Sequence, residues 1–193
     1  SIYGDAFRFA DIKYGIPYAP SWGYDTQAEI AYLRDTWDTN LRLRAREKGR
    51  KSTYSARYAF TWHDGAWRIR TQADANLVTD SLKTLSYGVS ISQDVQYTFQ
   101  PVPITLQLRA QAFDVRNWDN RIYQYENDVL HAYSIPAIYG VGGRFYINLR
   151  YRIMDSLSLY LKVAETIYTP TWATMHNRAM SKTDIHLLLR AVL

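Results

Sequence analysis

The chain has 193 residues, of which 47% are hydrophobic and 15% aromatic, including 17 tyrosines and six tryptophans. This composition excludes a disordered protein, and the absence of cysteine excludes disulfides, thiolate metal sites and a cysteine nucleophile. The formal net charge of +5 is a modest basic excess whose meaning depends on where the charges lie.

Apolar and polar residues alternate along much of the chain, and helical periodicity is nowhere sustained. In 66–77, for example, Trp67 and Ile69 fall on one parity, while Arg68 and Arg70 fall on the other. Side chains of a strand point to opposite faces in turn, so this stretch predicts a strand with one apolar and one polar face. The same pattern predicts ten strands, at about 5–13, 24–33, 38–48, 52–62, 66–77, 84–99, 104–116, 143–153, 157–167 and 183–193.

The connections between these strands are of two kinds. Tight turns rich in Asp, Gly, Pro and Ser occupy 34–38, 63–65, 101–103 and 154–156. Longer, more polar connections occupy 14–23, 78–83, 117–142 and 169–182, and 49–52 is the one short exception among them. Short turns on one side and long loops on the other are typical of up-and-down membrane barrels. The scheme requires 117–142 to be one excursion, without a further spanning strand at 121–127.

Two all-β architectures fit the alternation. A soluble sandwich or lipocalin-like barrel would turn the apolar parity inward, whereas a transmembrane barrel would turn it toward lipid. Strands of about 10–12 residues match the 9–11 residues needed for a tilted crossing of the hydrocarbon layer, and no run of about 18 apolar residues predicts a membrane helix. Aromatic residues beside the tight turns are typical of an interfacial girdle: Trp37, Trp62, Trp67, Tyr97, Phe99 and Tyr151.

We therefore predict an all-β chain that forms a closed, antiparallel, up-and-down transmembrane β-barrel of about ten strands. It is expected to be a single domain over residues 1–193 and is compatible with the C-terminal part of a longer precursor. Gln93 and Glu165 count against this prediction, because both polar residues fall on the parity that would face lipid.

Two stretches resemble a known family: NRIYQYENDVLHAYSIPAIYGVGGRFYINLRYRI at 120–153 and SLSLYLKVAETIY at 156–168. They are similar to the barrel regions of Bacteroidetes outer-membrane proteins described as helix-hairpin-helix or competence-related DNA-uptake proteins. The stretch at 5–25, DAFRFADIKYGIPYAPSWGYD, resembles the start of that region. The resemblance implies location in the outer membrane of a Gram-negative, Bacteroidetes-type bacterium and a part in DNA uptake. However, the chain has no helix-hairpin-helix module, and TPTWATMHNRAM (169–180) replaces the glycine-rich segment expected before the last strand.

The polar parity is rich in basic residues. A confined cationic interior concentrates anions and steers them inward, so the pattern predicts a porin-like path for anionic cargo. The alternative is an interior filled by its own Arg–acid and Arg–Tyr contacts, since ten strands leave little open lumen. The predicted lumen-lining basic residues are Arg42, Arg44, Arg46, Arg57, Arg68, Arg70, Arg109, Arg144, Arg150, Arg152, Lys162 and Arg190.

The segment 117–142 is the most specialised predicted element. We expect it to fold into the lumen or outer mouth as a plug, favoured by a match of its tyrosines with the arginines of the wall. The alternative is a docking surface for other outer-membrane or periplasmic proteins. Gly140, Gly142 and Gly143 predict a bend where the segment re-enters the sheet. Its aromatic residues are Trp118, Tyr123, Tyr125, Tyr133 and Tyr139.

Three functions remain open, in order of preference. The first is a transport or uptake-associated barrel for anionic cargo, with nucleic acid implied by the resemblance alone. The second is an occluded accessory or scaffold subunit of a larger outer-membrane complex. The third is a hydrolase on the outer rim, for which His131 beside Glu126 and Asp128 is the one local acid–base cluster. Neither a metal-ligand spacing nor a phosphate-binding loop occurs, so we expect no enzyme, cofactor or metal, and membrane lipid as the main partner.

Overall fold

A computed structural model describes residues 1–11, 20–80 and 84–192. Ten strands form one antiparallel sheet in which each strand pairs with its neighbours along the chain. They are β1 (Ile2–Phe9), β2 (Ser21–Leu33), β3 (Trp37–Lys48), β4 (Lys51–Asp64), β5 (Trp67–Thr79), β6 (Leu85–Thr98), β7 (Ile104–Val115), β10 (Gly140–Met154), β11 (Leu157–Tyr168) and β12 (Ser181–Ala191). A separate two-stranded sheet joins β8 (Ile122–Tyr123) and β9 (Ala137–Ile138).

The ten predicted strands and their up-and-down order are confirmed. The first strand begins earlier than predicted, and part of its predicted end, 12–13, lies outside the described residues. The chain between β7 and β10 contains a 3₁₀ turn at Trp118–Asn120 and the short β8–β9 pair, so it is an excursion and not an eleventh spanning strand, as the connection pattern requires.

The connection before β12 contains a helix that was not predicted. A six-residue helix, α1 (Pro170–Met175), lies in the connection before β12. Proline at its first turn supplies a φ suited to a helix start, and the Trp172 ring stacks on Tyr168 with centroids 4.9 Å apart. In the described part of the chain no helix is long and apolar enough to cross a membrane.

The strand register sorts side chains onto two faces. Arg57 lies opposite Asp74, which lies opposite Ser90, whereas Ala56 lies opposite Ala75, which lies opposite Val89. We call the first of these the inner face, because the chain between β7 and β10 packs on it, and the second the outer face. We call the end of the sheet with the tight turns the turn end, and the other the loop end.

Burial is inverted relative to a soluble protein. The largest fully buried side chains include Lys162, Gln124 and Glu126, all of which lie at or on the inner face. On the outer face, by contrast, Ile147 is 54% and Leu187 is 69% exposed. Soluble proteins bury large apolar side chains and almost never fully bury unpaired charges. The soluble alternative would bury the apolar parity, and the structure buries the polar parity instead.

Gln93 and Glu165, the two polar residues that count against a lipid-facing parity, both have partners. Thr71 donates its hydroxyl to Gln93 Oε1 at 2.7 Å, and Gln93 Nε2 donates to the carbonyl of Arg70 at 3.2 Å. Thr183 donates its hydroxyl to the Glu165 carboxylate on the neighbouring strand. Their polar atoms are thus paired along the sheet surface, which lowers the cost of placing them among apolar neighbours.

Two glycines set the entry into β10. Gly140 has a φ of 110°, a conformation that L side chains rarely adopt, and it accounts for the predicted bend. A Cβ on Gly142 would lie 2.1 Å from the Ile167 carbonyl oxygen of β11, so only glycine allows this approach of the two strands. Gly143 follows within the same strand.

Candidate functional site

The inserted segment, residues 116–139 between β7 and β10, occupies the inner face of the sheet. Its middle runs extended, with Ile122, Gln124 and Glu126 buried and Tyr123 and Tyr125 exposed. Even-numbered side chains therefore meet the sheet, and the two tyrosines point away from it. The segment contacts the inner face through polar groups along most of this length.

An ion cluster anchors the centre of the inserted segment. The fully buried Glu126 accepts hydrogen bonds from Arg144 Nε at 2.6 Å and Nη2 at 3.0 Å. Lys162 Nζ lies 3.1 Å from the same carboxylate and 3.1 Å from Asp128 Oδ2. Asp128 Oδ1 also lies 2.7 Å from His186 Nδ1 on β12. Two carboxylates of the segment thus contact basic side chains of three successive strands.

Both carboxyls of the cluster are shifted toward the charged form. Burial raises the pKa of Glu126, but hydrogen bonds from Arg144 and the charges of Arg144 and Lys162 outweigh it, so the pKa lies below the ordinary 4.5. Burial likewise raises the pKa of Asp128, and hydrogen bonds from His186, the Val129 amide and Lys162 bring it below 3.8. Each carboxylate is therefore ionised at neutral pH.

Further hydrogen bonds hold the backbone of the inserted segment. Arg57 Nη2 donates to the Tyr123 carbonyl at 2.7 Å, and Arg109 Nη1 donates to the Tyr125 carbonyl at 2.8 Å. Both arginines are themselves oriented by carboxylates of the sheet, Arg57 by Asp74 and Arg109 by Asp94. The inner face thus fixes the path of the segment as well as its side chains.

A neutral contact lies between these two arginines. Gln111 Nε2 donates to Gln124 Oε1 at 2.6 Å, and Gln124 Nε2 donates to Ser92 Oγ at 2.8 Å. All three side chains are buried. Toward the loop end, Ile122 and Ile138 pack with Phe113 and Val115 in a small apolar cluster.

The loop-end cavity lies between the inserted segment and strands β3 to β5, with a volume of about 420 Å³. Among the described residues, five cationic side chains and a single carboxylate, Asp119, line it. Neutral polar residues complete the wall. The lining residues are Arg44, Arg46, Lys48, Lys51, Thr53, Ser55, Asn76, Asp119, Arg121 and Tyr123.

The turn-end cavity lies on the other side of the inserted segment and has a volume of about 230 Å³. Arg68 and Arg70 line it together with Tyr125 and Asn127 of the segment. Within the described ranges neither arginine forms an ion pair with a carboxylate, and the buried Arg70 Nε has no hydrogen-bond partner. Two polar cavities therefore flank the segment, each with cations in its wall.

The register places all twelve predicted basic residues on the inner face. Four of them contact the inserted segment, and those of β3 pair with acids of β2, as when Arg42 meets Glu29 at 3.0 Å. Arg150 lies over the Tyr160 ring at 5.6 Å. The four that bond the segment are Arg57, Arg109, Arg144 and Lys162.

The six predicted girdle aromatics lie on the outer face near the turn end. Four of them pack against neighbouring rings in tilted or edge-on arrangements: Trp37 lies 5.8 Å from Phe60, Trp67 4.5 Å from Tyr97, and Tyr97 4.6 Å from Phe99. Trp62 pairs in register with Trp37, and Tyr151 lies opposite Leu159 on β11.

Tyr123 and Tyr125 of the inserted segment meet the arginines of the wall through backbone carbonyls, while their rings remain exposed. Tyr123 and Tyr125 are half exposed and Tyr133 is 80% exposed. Trp118 packs edge-on against Tyr139 at 5.3 Å, near the loop end. The segment is anchored by amide and carboxylate side chains instead, because these satisfy the buried cations of the sheet.

The predicted acid–base cluster for a hydrolase does not form. His131 has a positive φ of 69° in an exposed turn, and it makes no hydrogen bond to Glu126 or Asp128 in the described structure. Both carboxylates are engaged by Arg144, Lys162 and His186. The residues described contain no group of three or more His, Asp or Glu that could hold a metal ion.

Several contacts of the site were missed from the sequence. Gln124, Glu126 and Asp128 alternate in QYEND, which was a detectable signal for one buried parity, but their partners lie on distant strands. Lys48, at the end of the predicted strand 38–48, and Lys51, in the predicted connection 49–52, were not among the predicted lumen-lining residues. Both nevertheless lie on inner-face parity.

A scan of protein-family models finds no match for the chain, and a search of curated proteins finds no similar sequence. Among solved structures, the chain is similar to the NanC porin in its rhombohedral crystal form. The likeness covers 100% of this chain and 94% of the porin chain, with 12% sequence identity and a TM-score of 0.49. A likeness of this degree carries no functional conclusion.

Proposed function

We propose that the chain is an outer-membrane β-barrel of a Gram-negative bacterium, with a cationic interior that handles anionic solutes. The observation that carries this proposal is the inverted burial: ionised side chains fill the inner face, and large apolar side chains cover the outer face. Exposure of this apolar outer face to water is unfavourable in free energy, whereas its contact with the hydrocarbon of a bilayer is favourable.

The height of the apolar surface fits a membrane. On the outer face of β6, Tyr87 lies near the loop end and Tyr97 near the turn end, ten residues apart. At about 3.3 Å per residue and a tilt of about 40°, this separation spans roughly 25 Å along the barrel axis. That value equals the usual height of the apolar band between two aromatic girdles.

Closure of the sheet belongs to this proposal. Among the described residues, β1 pairs with β2 alone and β12 with β11 alone. An open edge leaves backbone groups unsatisfied in lipid, so a membrane location requires β1 to pair with β12. These two strands run antiparallel in the up-and-down order, as closure of a ten-stranded barrel demands.

Cysteine cross-linking tests closure cleanly, since the chain contains no cysteine of its own. Gly4 lies on the outer face of β1 with open space around it, and a cysteine there can be combined with one at each outer-face position of β12 in turn. We expect one pairing, among Thr183, Ile185, Leu187, Leu189 and Ala191, to oxidise readily in membranes. The control places the second cysteine at Val89 on β6. Oxidation no better than in this control for all five pairs would refute closure.

The path for anions runs through the two cavities. Arg57 separates them, since it lines the turn-end cavity, bonds the Tyr123 carbonyl and pairs with Asp74. Tyr123 in turn lines the loop-end cavity. Cations lie on both sides of the contact between Arg57 and Tyr123. They favour the passage of anions when the inserted segment moves away from Arg57.

The dense contacts of the inserted segment favour a second candidate, an occluded scaffold subunit. In that case the segment stays in place and the barrel offers its loops to other envelope proteins. Uptake of nucleic acid is supported by the sequence resemblance alone and is the weaker form of the transport proposal.

Planar-bilayer conductance separates the two candidates. For the anion path we expect an anion-selective current that loses selectivity in Arg68→Gln/Arg70→Gln, because these cations line the turn-end cavity and neither pairs with a carboxylate among the described residues. The matched control, Arg116→Gln/Arg178→Gln, removes two exposed charges outside the inner face and should keep the selectivity. Absence of current in the wild type would refute the path and favour the scaffold.

A further inference from the structure

We propose that the loop-end cavity is a binding site for a small multivalent anion that carries phosphate or carboxylate groups. This inference rests on the proposed anion path and names the class of its cargo. The site is formed where β3 ends and β4 begins, opposite Asp119, Arg121 and Tyr123 of the inserted segment.

The charge of the cavity is incompletely compensated. Of its five cations, Lys51 pairs with Asp119, and Arg44 pairs with Asp25 of β2. Arg46 lies 3.7 Å from the same Asp25, which is already engaged by Arg44. In the described part of the chain, Lys48 and Arg121 have no carboxylate within 4.0 Å. Neighbouring cations that share too few carboxylates repel one another, and a multivalent anion relieves that repulsion.

The side chain of Arg121 is preorganised for binding such an anion. Its Nε donates to the Tyr123 hydroxyl at 2.7 Å and its Nη1 to the Trp118 carbonyl at 3.0 Å. The guanidinium also lies over the Trp118 ring at 4.8 Å. These contacts fix the plane of the guanidinium, so little side-chain entropy is lost when its remaining N–H groups bind an anion.

The size and shape of the cavity favour a small ligand over a polymer. A volume of about 420 Å³ lies within the range of about 300–1,000 Å³ typical of small-molecule sites. The inserted segment forms one wall and closes the way toward the turn end. Hydroxyls of Thr53 and Ser55 line the opposite wall and add neutral donors for phosphate or carboxylate oxygens.

Isothermal titration of the whole chain in a non-ionic detergent, with inorganic pyrophosphate as the probe, tests this site. The ionic strength should be about 0.15 M, where charges more than about 8 Å apart are largely screened. We expect Arg46→Gln/Lys48→Gln to weaken binding at least about tenfold, as two charge-assisted contacts are lost. The matched control is Arg150→Gln/Arg190→Gln, which removes the same charge from the inner face away from the cavity. It should change the affinity less than about twofold. No binding by the wild type, or an equal loss in both variants, would overturn the proposal.

A variant that is expected to bind more tightly distinguishes a loss of the site from a folding defect. Asp119→Asn removes the one carboxylate that lines the cavity and releases Lys51, so pyrophosphate should bind about two- to fivefold more tightly. Unchanged or weaker binding would contradict the site.

The binding site and the anion path can fail separately. Pyrophosphate binding with this pattern but no bilayer current would refute the path and leave the site, whereas anion current without pyrophosphate binding would refute the site alone. Tighter binding of an oligonucleotide than of pyrophosphate would also overturn the proposal of a small ligand.

Discussion

Glu126 is the residue on which the position of the inserted segment depends most. It is fully buried and accepts hydrogen bonds from two cations, Arg144 and Lys162. Removal of one partner from a buried ion pair leaves an uncompensated charge, which costs far more than the pair contributes when intact. The sheet therefore depends on the segment as much as the segment depends on the sheet.

Glu126→Ala is predicted to lower the free energy of unfolding by about 3–5 kcal/mol, because Arg144 and Lys162 remain buried without their shared carboxylate. Urea unfolding in detergent micelles measures the change. Asp114→Ala is the control, since it breaks the exposed pair with Arg116 and should cost less than about 1 kcal/mol. Equal losses in the two variants would show that Glu126 is not an anchor.

The same cluster predicts a dependence of stability on pH. The folded-state pKa values of Glu126 and Asp128 lie below their ordinary values, so the folded protein binds these protons less readily than the unfolded chain. This contribution is fully present above the unfolded pKa values of about 4 and is lost as the pH falls through the folded ones. The unfolding temperature should therefore drop on acidification below about pH 4. Glu126→Gln, which cannot ionise, should show a shallower drop; an identical pH profile would contradict this account.

At the scale of the element, β10 shows how a strand is fitted to its neighbour. Its first half has a turn-like glycine at Gly140 and a close approach to β11 at Gly142. The same half carries Arg144, which reaches Glu126 and Thr166. The two glycines thus let the chain leave the inserted segment and pair with β11, two residues before the anchoring arginine.

Gly142→Ala is predicted to destabilise the fold by at least about 1–3 kcal/mol, because the new methyl group would meet the Ile167 carbonyl at 2.1 Å. Gly4→Ala is the matched control, as a Cβ there meets no atom within 4 Å and should change stability by less than about 0.5 kcal/mol. Urea unfolding of both variants measures the difference. A Gly142→Ala protein as stable as the control would show that the two strands can separate at no cost.

Strands and faces of this chain can be predicted from sequence because a period of two is local. A slip of one residue in RIRTQADANL would exchange Arg70 and Ile69 between faces, so the pattern fixes the register wherever one face is apolar. The anchoring of the inserted segment could not be predicted in the same way. Glu126 contacts Arg144 and Lys162, which lie 18 and 36 residues further along the chain, and no local sequence pattern predicts these contacts. Helix α1 was missed because six residues are too few to show helical periodicity.

At the scale of the whole molecule, the structure places charged side chains on the inner face of the sheet and apolar side chains on the outer face. The inserted segment satisfies cations of the inner face, and the spaces that it leaves are the two cationic cavities. The outer face carries aliphatic residues between two sets of aromatic rings. This distribution supports the proposed anion path, because anions are concentrated only where the cationic face is enclosed.

The central claim is that the outer face meets lipid and the inner face meets water. Leu43 and Arg42 are adjacent on β3, half exposed and on opposite faces, so single cysteines at these positions can carry the same small fluorophore. The most direct test reconstitutes the two labelled proteins in vesicles and compares quenching by acyl-brominated lipid with quenching by aqueous iodide. We predict that brominated lipid quenches the probe at position 43 and iodide the probe at position 42. Iodide quenching at position 43 with no effect of brominated lipid would contradict the account.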